Sequence, residues 1–384
     1  MNGRTAAIIF GALGGFLALG DRYVMSTLYN QLMTNYFLKS TVVFSILFSS
    51  FYVGYTIFQL PGGRVAQRFG PSKIMGISLI LWSAFFFILP MIRSFTAAVI
   101  ISFLMGLAQG PVFPSIIFLI RLFYKDRQYA RASGIVSSVG DLAPAVIPFV
   151  ALWLYYEGVG VNLPFIFFGI IGIAAGGALL SLRVAYKTSP QKGNWSSLFG
   201  KRYLIFGLSF LIYDYFFYVI FTWYPYFLKE RFSIQSNNLV FGPLPWVLMA
   251  AGSLLFGTFM DRINRDSLLS EVSYGIIALT LVGMAFSRNP YLFLTFVVIS
   301  LFFLNPILLS SWRLSTRLAG EGSSSFVAGW MNFWGNVGGI AAPVMVAALN
   351  DRYGLPRTFL LSVTLPVLGL ISWAVMSRWE NNEA

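Results

Sequence analysis

The sequence predicts an all-α membrane protein with twelve transmembrane helices in two pseudo-symmetric six-helix bundles. Three observations support this prediction. Hydrophobic residues make up 57% of the 384 residues and charged residues only 10%, whereas soluble domains carry about 25% charged residues. Long apolar windows recur along the whole chain, and motifs in the first half return in the second. So few charges cannot cover a water-exposed surface, which excludes a soluble protein.

The apolar windows define the predicted spans, because an α-helix needs about 20 mainly apolar residues to cross a bilayer. Twelve such windows follow one another with short connections. They cover about residues 5–29, 41–61, 73–92, 96–121, 130–156, 163–186, 203–228, 238–260, 269–287, 290–316, 323–349 and 355–378. The longest polar connection is 187–202. We therefore predict an N-terminal bundle over 1–186, a cytoplasmic linker over 187–202 and a C-terminal bundle over 203–384.

The basic residues predict the orientation of these spans. The chain has 26 Lys and Arg residues against 13 Asp and Glu residues, a net charge of +13. Most of the basic residues fall in the even-numbered connections and near the termini. Cytoplasmic loops of membrane proteins carry such an excess, so both termini are predicted to be cytoplasmic. The positive charge is a topology signal, and no nucleic-acid partner is expected.

The residue types that are missing exclude several kinds of chemistry. The chain has no cysteine and no histidine, which removes disulfides, thiol catalysis, thiolate metal sites and the commonest metal ligand. No carboxylate-rich metal cluster and no nucleotide-binding motif is present. The sequence therefore predicts a protein that is not an enzyme and needs no metal or other cofactor.

The two halves of the chain repeat with an offset of about 195 residues. Gly63, Gln67 and Arg68 correspond to Gly257, Asp261 and Arg262. Further pairs with this offset are Gly134 with Gly329 and Pro111 with Pro306. A repeat that preserves the orientation predicts two parallel bundles. Transporters of this architecture hold their substrate at the interface of the repeats.

Four ionisable residues fall well inside the windows, where a charge costs at least about 2.5–3.5 kcal/mol. The acids Asp21, Asp141 and Asp214 are candidates for proton coupling, because a carboxyl that gains and loses a proton at this depth can couple proton movement to substrate. For Asp141 the alternative is a gate or a hydrogen-bond anchor. Arg22 is the predicted anion-binding residue, since its planar guanidinium suits a carboxylate or phosphate. The alternative for Arg22 is a structural ion pair with Asp21 or Asp214.

Other polar side chains are predicted to line the substrate cavity. The amides of Asn332 and Asn336 share one helix face, where they either orient a substrate or bond neighbouring helices. Further candidates are Tyr52, Tyr55, Gln109 and Tyr213. Arg313 lies near the end of its window and is expected to extend to the membrane interface rather than to contact substrate.

Several motifs resemble those of one transporter family. The matching segments are residues 21–26 (DRYVMS), 50–63 (SFYVGYTIFQLPGG), 68–70 (RFG), 106–114 (GLAQGPVFP), 223–228 (WYPYFL), 257–262 (GTFMDR) and 331–339 (MNFWGNVGG). They resemble the major facilitator superfamily, and within it most closely the anion:cation symporter family of sialate, glutamate and sugar-acid transporters. The matches cover nearly the whole chain.

The resemblance implies proton-coupled symport of a small organic anion, a carboxylate or sugar acid, by alternating access. It also implies a gating latch on the cytoplasmic side, formed by Gly63, Arg68, Gly70, Asp261 and Arg262. The expected partners are the organic anion, protons and the lipid bilayer, and a monomer is expected. The expected location is a prokaryotic plasma or inner membrane, crossed many times.

Three positions depart from the family pattern. Gln67 replaces an Asp of the loop motif, which predicts a weaker latch in the first half. Ser102 and Gln109 stand where the family carries an Arg and a Glu that serve substrate charge and proton coupling. An uncoupled uniporter or exchanger of organic anions therefore stays open, as does a spinster-like transporter of lipids or other amphipaths. A non-transporting sensor with the same fold is a further alternative.

Overall fold

The computed structural model describes residues 3–28, 31–32, 34, 41–124, 128–157, 160–181, 198–234, 240–263, 265–319 and 324–381. The regular structure in these ranges is helical. Besides the short 3-10 helix Leu89–Met91, the helices are α1 (Gly3–Thr27), α2 (Thr41–Phe69), α3 (Pro71–Ile88), α4 (Phe95–Gln109), α5 (Val112–Phe123), α6 (Tyr129–Asp141), α7 (Ala143–Glu157), α8 (Asn162–Ser181), α9 (Lys201–Phe232), α10 (Leu244–Ile263), α11 (Asp266–Phe286), α12 (Pro290–Ala319), α13 (Ser324–Tyr353), α14 (Leu355–Ser362) and α15 (Thr364–Asn381).

Helices of this length and composition cross membranes. Within the described ranges, 11 helical segments are long and apolar enough to span a bilayer. The remaining predicted window, 41–61, lies in α2, a helix of 29 residues. The predicted all-α membrane fold is confirmed, and the protein is a multi-pass membrane protein.

Proline interrupts some of the predicted spans. The window 96–121 is two helices, α4 and α5, which meet at Gly110 and Pro111. Proline has no backbone N–H to continue the helical ladder, and its ring clashes with the preceding turn. Pro144 follows the break between α6 and α7 in the same way. A predicted span is therefore a path through the bilayer rather than one continuous helix.

Glycines let neighbouring helices approach backbone to backbone. A Cβ on Gly54 of α2 would collide with the carbonyl oxygen of Phe103, and a Cβ on Gly106 of α4 would collide with that of Phe51. Close contacts of this kind, through small residues, hold membrane helices together where no hydrophobic driving force exists. They fix α2 against α4, which matters for the site described below.

The described contacts divide the chain into two compact units. The first comprises Met1–Lys125, Val139–Gly193 and Thr316–Phe333; the second comprises Asp126–Ser138, Asn194–Ser315 and Trp334–Ala384. Each unit contains a segment from the other half of the sequence. The division into bundles over 1–186 and 203–384 stays a prediction. Most of the predicted linker, 187–202, lies outside the described residues.

Candidate functional site

Arg22 lies in the first unit among aromatic rings. Its guanidinium carbon is 4.7 Å from the ring centre of Tyr55 and 5.3 Å from those of Phe51 and Tyr52. Its Nη2 donates a hydrogen bond of 3.1 Å to Oε1 of Gln109. Arg22 is only 6% exposed and Gln109 is fully buried. The predicted candidates Arg22, Tyr52, Tyr55 and Gln109 therefore form one cluster.

The close contact between α2 and α4 sets the geometry of this cluster. Phe51, Tyr52 and Tyr55 lie on α2, and Gln109 ends α4. Phe51 and Tyr55 are one turn apart, and their rings stack at 5.7 Å with an interplanar angle of 12°. The pair offers a flat aromatic surface to the cation. Cations are attracted to ring faces within about 6 Å, so the rings hold the guanidinium without neutralising its charge.

Asp21 points to a different neighbour. Its Oδ2 accepts a hydrogen bond of 2.5 Å from Nε1 of Trp82 on α3, and both residues are buried. Successive residues on a helix point about 100° apart, which explains why Asp21 and Arg22 reach different helices. Trp82 is absent from the predicted site, because a chain with 18% aromatic residues gives no sequence signal for one tryptophan.

The second unit holds the candidates Tyr213, Asp214 and Asn336. Tyr213 is buried and stacks on Phe210 with ring centres 5.0 Å apart. Asp214, partly exposed, reaches α13 at Gly335, where any Cβ would collide with its Oδ2. Asn336, which follows this glycine, is 4% exposed. Gly335 therefore leaves room for the Asp214 carboxylate beside the amide-bearing face of α13.

Two further candidates lie in the first unit. Nδ2 of Asn332 donates a hydrogen bond of 2.8 Å to the carbonyl oxygen of Ala328 in its own helix. Asp141 ends α6 and is 6% exposed. The roles of Asn332 in substrate binding and of Asp141 in proton coupling stay predictions.

The predicted latch residues of the first half lie at the end of α2. Gly63 packs directly on the backbone of Ser325, and the Ser325 hydroxyl donates a hydrogen bond of 2.6 Å to the Gly63 carbonyl oxygen. Gly70 has φ of 98°, which only glycine adopts readily, and it allows the turn from α2 into α3. Arg68 is exposed, and its guanidinium lies 5.2 Å from the ring of Phe69.

The second half has the equivalent contact in charged form. Asp261, near the end of α10, accepts hydrogen bonds from the backbone N–H groups of Ala130 at 3.1 Å and Arg131 at 2.8 Å, in the first turn of α6. These amides have no partner inside their own helix, and the helix dipole favours a negative group there. Gly257, one turn earlier, packs on Gly134. Arg262 is exposed.

The prediction that Arg313 extends to the membrane interface is wrong. It is 3% exposed, and its guanidinium bonds Asp261 at 2.6 Å and Asp266 at 2.8 Å. A buried arginine is held by carboxylates because an unpaired charge there is costly. The predicted window began at residue 269, whereas α11 begins at Asp266. Asp266 therefore lay outside the predicted window and was not among the acids predicted to lie inside the membrane.

Comparison with known proteins decides the family. The sequence model of the Major Facilitator Superfamily matches residues 11–343. The chain belongs to this superfamily. It is 23% identical over 403 residues to a "Hexuronate transporter" of Bacillus subtilis (strain 168), covering 96% of this chain and 93% of that protein. It is 26% identical to a "Probable galactarate/D-glucarate transporter" of Escherichia coli (strain K12), covering 93% of this chain and 89% of that protein.

A solved major facilitator structure has the same fold. The proton:xylose symporter XylE superposes with a TM-score of 0.80 at 13% sequence identity, covering 96% of this chain and 94% of the other. At that identity the likeness shows the fold alone. The resemblance inferred from the motifs is confirmed, and the chain is a membrane transporter rather than an enzyme.

Proposed function

We propose that this chain is a secondary active transporter of a small organic anion, a carboxylate or sugar acid, and that Arg22 binds the anion's carboxylate. The observation that supports this most strongly is the setting of Arg22. The guanidinium is buried under three aromatic rings, and its hydrogen bond to Gln109 is made to a neutral amide. A bond to a neutral amide does not itself neutralise the positive charge that attracts an anionic ligand.

The chemistry of arginine fits this role better than that of lysine. The guanidinium stays charged at all relevant pH values and presents a fork of N–H donors that matches both oxygens of a carboxylate. In a site shielded from water, such charge-assisted hydrogen bonds are stronger than on a surface. The relatives support the substrate class, since hexuronate, galactarate and glucarate are sugar acids that carry carboxylates.

For the driving force we propose proton symport, with Asp21 as the coupling carboxyl. Asp21 is adjacent to Arg22 in the chain and bonded to Trp82, so binding of an anion at Arg22 changes the electrostatic potential at a carboxyl one residue away. Asp214 and Asp141 are the other proposed proton carriers. The contact of Asp214 with α13 at Gly335 supports a role near Asn336, a proposed substrate contact.

Transport by alternating access requires contacts that form and break. We assign this role to the glycine contacts at Gly63 and Gly257 and to the ionic cluster at Asp261. Gly70, Arg68 and Arg262 complete the proposed latch. The distribution of basic residues supports a cytoplasmic position for the latch and for both termini, in the inner membrane of a prokaryote. A monomer suffices for this mechanism.

The function is tested by uptake into proteoliposomes that contain the purified full-length chain. Glucuronate, galactarate and D-galactonate are supplied with and without an inward proton gradient. We expect saturable uptake of at least one of them, accelerated by the gradient. Arg22→Ala should reduce uptake about 100-fold or more, and Arg22→Lys should recover little of it because the fork is lost. The exposed Arg288→Ala is the matched control. Uptake by Arg22→Ala equal to wild type would exclude the proposal.

A second candidate is uncoupled uniport or exchange of organic anions. It is favoured by one observation: the partner of Arg22 on α4 is the amide of Gln109, which carries no proton that titrates. Equal uptake rates with and without the proton gradient, together with exchange of labelled for unlabelled substrate, would support this candidate.

A further inference from the structure

Gln59 on α2 is a buried amide with unmet hydrogen-bonding capacity. It is fully buried, and neither Oε1 nor Nε2 has a hydrogen-bond partner among the described residues. Buried polar groups in native proteins are almost always paired, so each exception requires an explanation. Neither the latch nor the Arg22 cluster, as described above, uses this side chain.

The helix geometry places Gln59 on the same face as the aromatic residues of the Arg22 cluster. It follows Tyr55 by one turn and Tyr52 by two turns, and residues three, four and seven apart share one face of an α-helix. Tyr52 and Tyr55 are the rings that contact Arg22. Gln59 therefore extends that face by four residues, or about 6 Å along the helix axis.

The backbones of Gly110 and Gly329 pack against this part of α2. A Cβ on Gly110 would lie 3.2 Å from the carbonyl oxygen of Tyr55, and a Cβ on Gly329 would lie 2.7 Å from that of Gln59. This packing keeps bulk water from competing for the amide. A polar group that reaches Gln59 is then bound selectively.

Gln109 has the same kind of unmet capacity. Its Oε1 accepts the bond from Arg22, whereas its Nε2 has no partner in the described part of the chain. Together these residues offer the guanidinium of Arg22, the unpaired amide N–H₂ group of Gln109 and the complete unpaired amide of Gln59. A carboxylate only accepts hydrogen bonds, whereas a hydroxyl both donates and accepts. The complete amide of Gln59 matches a hydroxyl.

We infer that Gln59 determines substrate specificity by binding a hydroxyl group of the same acid whose carboxylate binds Arg22. This inference rests on the proposed function. It narrows the substrate class to carboxylates that also carry a hydroxyl group, which reaches Gln59 while the carboxylate is bound at Arg22. Acids without hydroxyl groups leave the Gln59 amide unsatisfied and bind more weakly.

The test compares two acids that share a carbon skeleton and both carboxylates, galactarate and adipate, which differ in their hydroxyl groups. Equilibrium binding to the purified full-length protein is followed by isothermal titration calorimetry. We expect wild type to bind galactarate at least about tenfold more tightly than adipate, the effect of one well-made hydrogen bond. Gln59→Leu should bring the two affinities within about twofold by weakening galactarate and leaving adipate unchanged.

Ser102→Ala is the matched control. Ser102 is as buried as Gln59 and lies on the facing helix, but its hydroxyl already donates a bond of 2.8 Å to the carbonyl oxygen of Leu47. This variant should keep the preference for galactarate. Thermal unfolding without ligand adds a second readout: Gln59→Leu loses no hydrogen bond, so its Tm should equal or exceed that of wild type.

The outcomes separate this inference from the proposed function. Equal wild-type affinities for the two acids would overturn the role of Gln59 and leave anion transport standing. The same holds if Gln59→Leu keeps the preference, or if it lowers Tm and weakens both acids alike, which marks a structural residue. Failure of wild type to bind either acid or glucuronate would contradict the proposed function itself.

Discussion

Asp261 accepts a hydrogen bond of 2.8 Å from the backbone N–H of Arg131, so a carboxylate of α10 caps the first turn of α6. The same carboxylate binds Arg313. In the first half, the residue that corresponds to Asp261 is Gln67, whose amide is uncharged. The residue that corresponds to Arg313 is the buried Phe118. The Asp261–Arg313 ion pair therefore has no counterpart at these two positions of the first half.

Asp261→Asn should loosen the contact between α10 and α6, because the amide keeps the shape but loses the charge that favours the helix N-terminus and Arg313. The chain has no cysteine, so a single Ser133→Cys in α6, fully buried in the native protein, reports opening. We expect the Cys to react with a thiol reagent about tenfold faster with Asp261→Asn, the effect of about 1.4 kcal/mol.

Asp351→Asn, the same change at an exposed position, is the control for this experiment and should leave the labelling rate unchanged. If Asp261→Asn also leaves the rate unchanged, then the carboxylate does not hold the latch closed.

Gly106→Ala should destabilise the protein, because its Cβ would collide with the Phe51 carbonyl oxygen and push α4 away from α2. Overpacking of this kind costs about 1–3 kcal/mol. The variant should also lose anion binding, since Phe51 and Gln109 hold Arg22 from these two helices. Unfolding in SDS mixed micelles and binding of the transported acid are the measurements.

Gly177→Ala on α8 is the natural comparison, since its Cβ would meet nothing within 4 Å. Alanine is a better helix former than glycine by about 1 kcal/mol, so this variant should be as stable as wild type or more stable. A Gly106→Ala protein with wild-type stability would show that α2 and α4 adjust freely.

The fold was predictable from the sequence because each membrane span is indicated by the summed hydropathy of its own residues. Each span needs only enough apolar residues, and α8 and α12 each coincide with a window to within several residues at either end. The breaks between helices were harder to predict, because Pro111 and Pro144 lie inside windows that hydropathy treats as single spans. Whether a proline kinks or divides a helix depends on the neighbours that satisfy the freed backbone groups.

The candidate site was predictable in part. Arg22 stood out because a lone arginine inside an apolar window has few structural explanations. Trp82 and Asp266 could not be found, since their roles come from helices that are distant in sequence and meet only in the fold. The prediction that Arg313 extends to the membrane interface was wrong because α11 begins three residues before its predicted window, at Asp266. Helix boundaries are the feature that hydropathy defines least sharply.

Asp21→Asn should uncouple transport from protons without abolishing substrate binding. The asparagine cannot release or take up a proton, but the Trp82 N–H can still donate to its carbonyl oxygen. We expect loss of accumulation driven by a proton gradient, with counterflow exchange of the labelled acid within about threefold of wild type. Asp141→Asn and Asp214→Asn, measured in parallel, identify which carboxyl couples. Undiminished accumulation by Asp21→Asn would remove it from the coupling mechanism.

Arg313→Gln should destabilise the second unit strongly, because it leaves the carboxylates of Asp261 and Asp266 without their cation. Removal of one partner of a buried ion pair costs about 3–5 kcal/mol. Asp266→Asn in the same chain removes one of the two carboxylate charges that Arg313 binds. The double variant should therefore be more stable than the sum of the two single effects predicts. We expect a coupling energy of about 0.5–3 kcal/mol from the double-mutant cycle, measured by unfolding in SDS mixed micelles. Strictly additive effects would mean that Arg313 and Asp266 do not interact in the membrane.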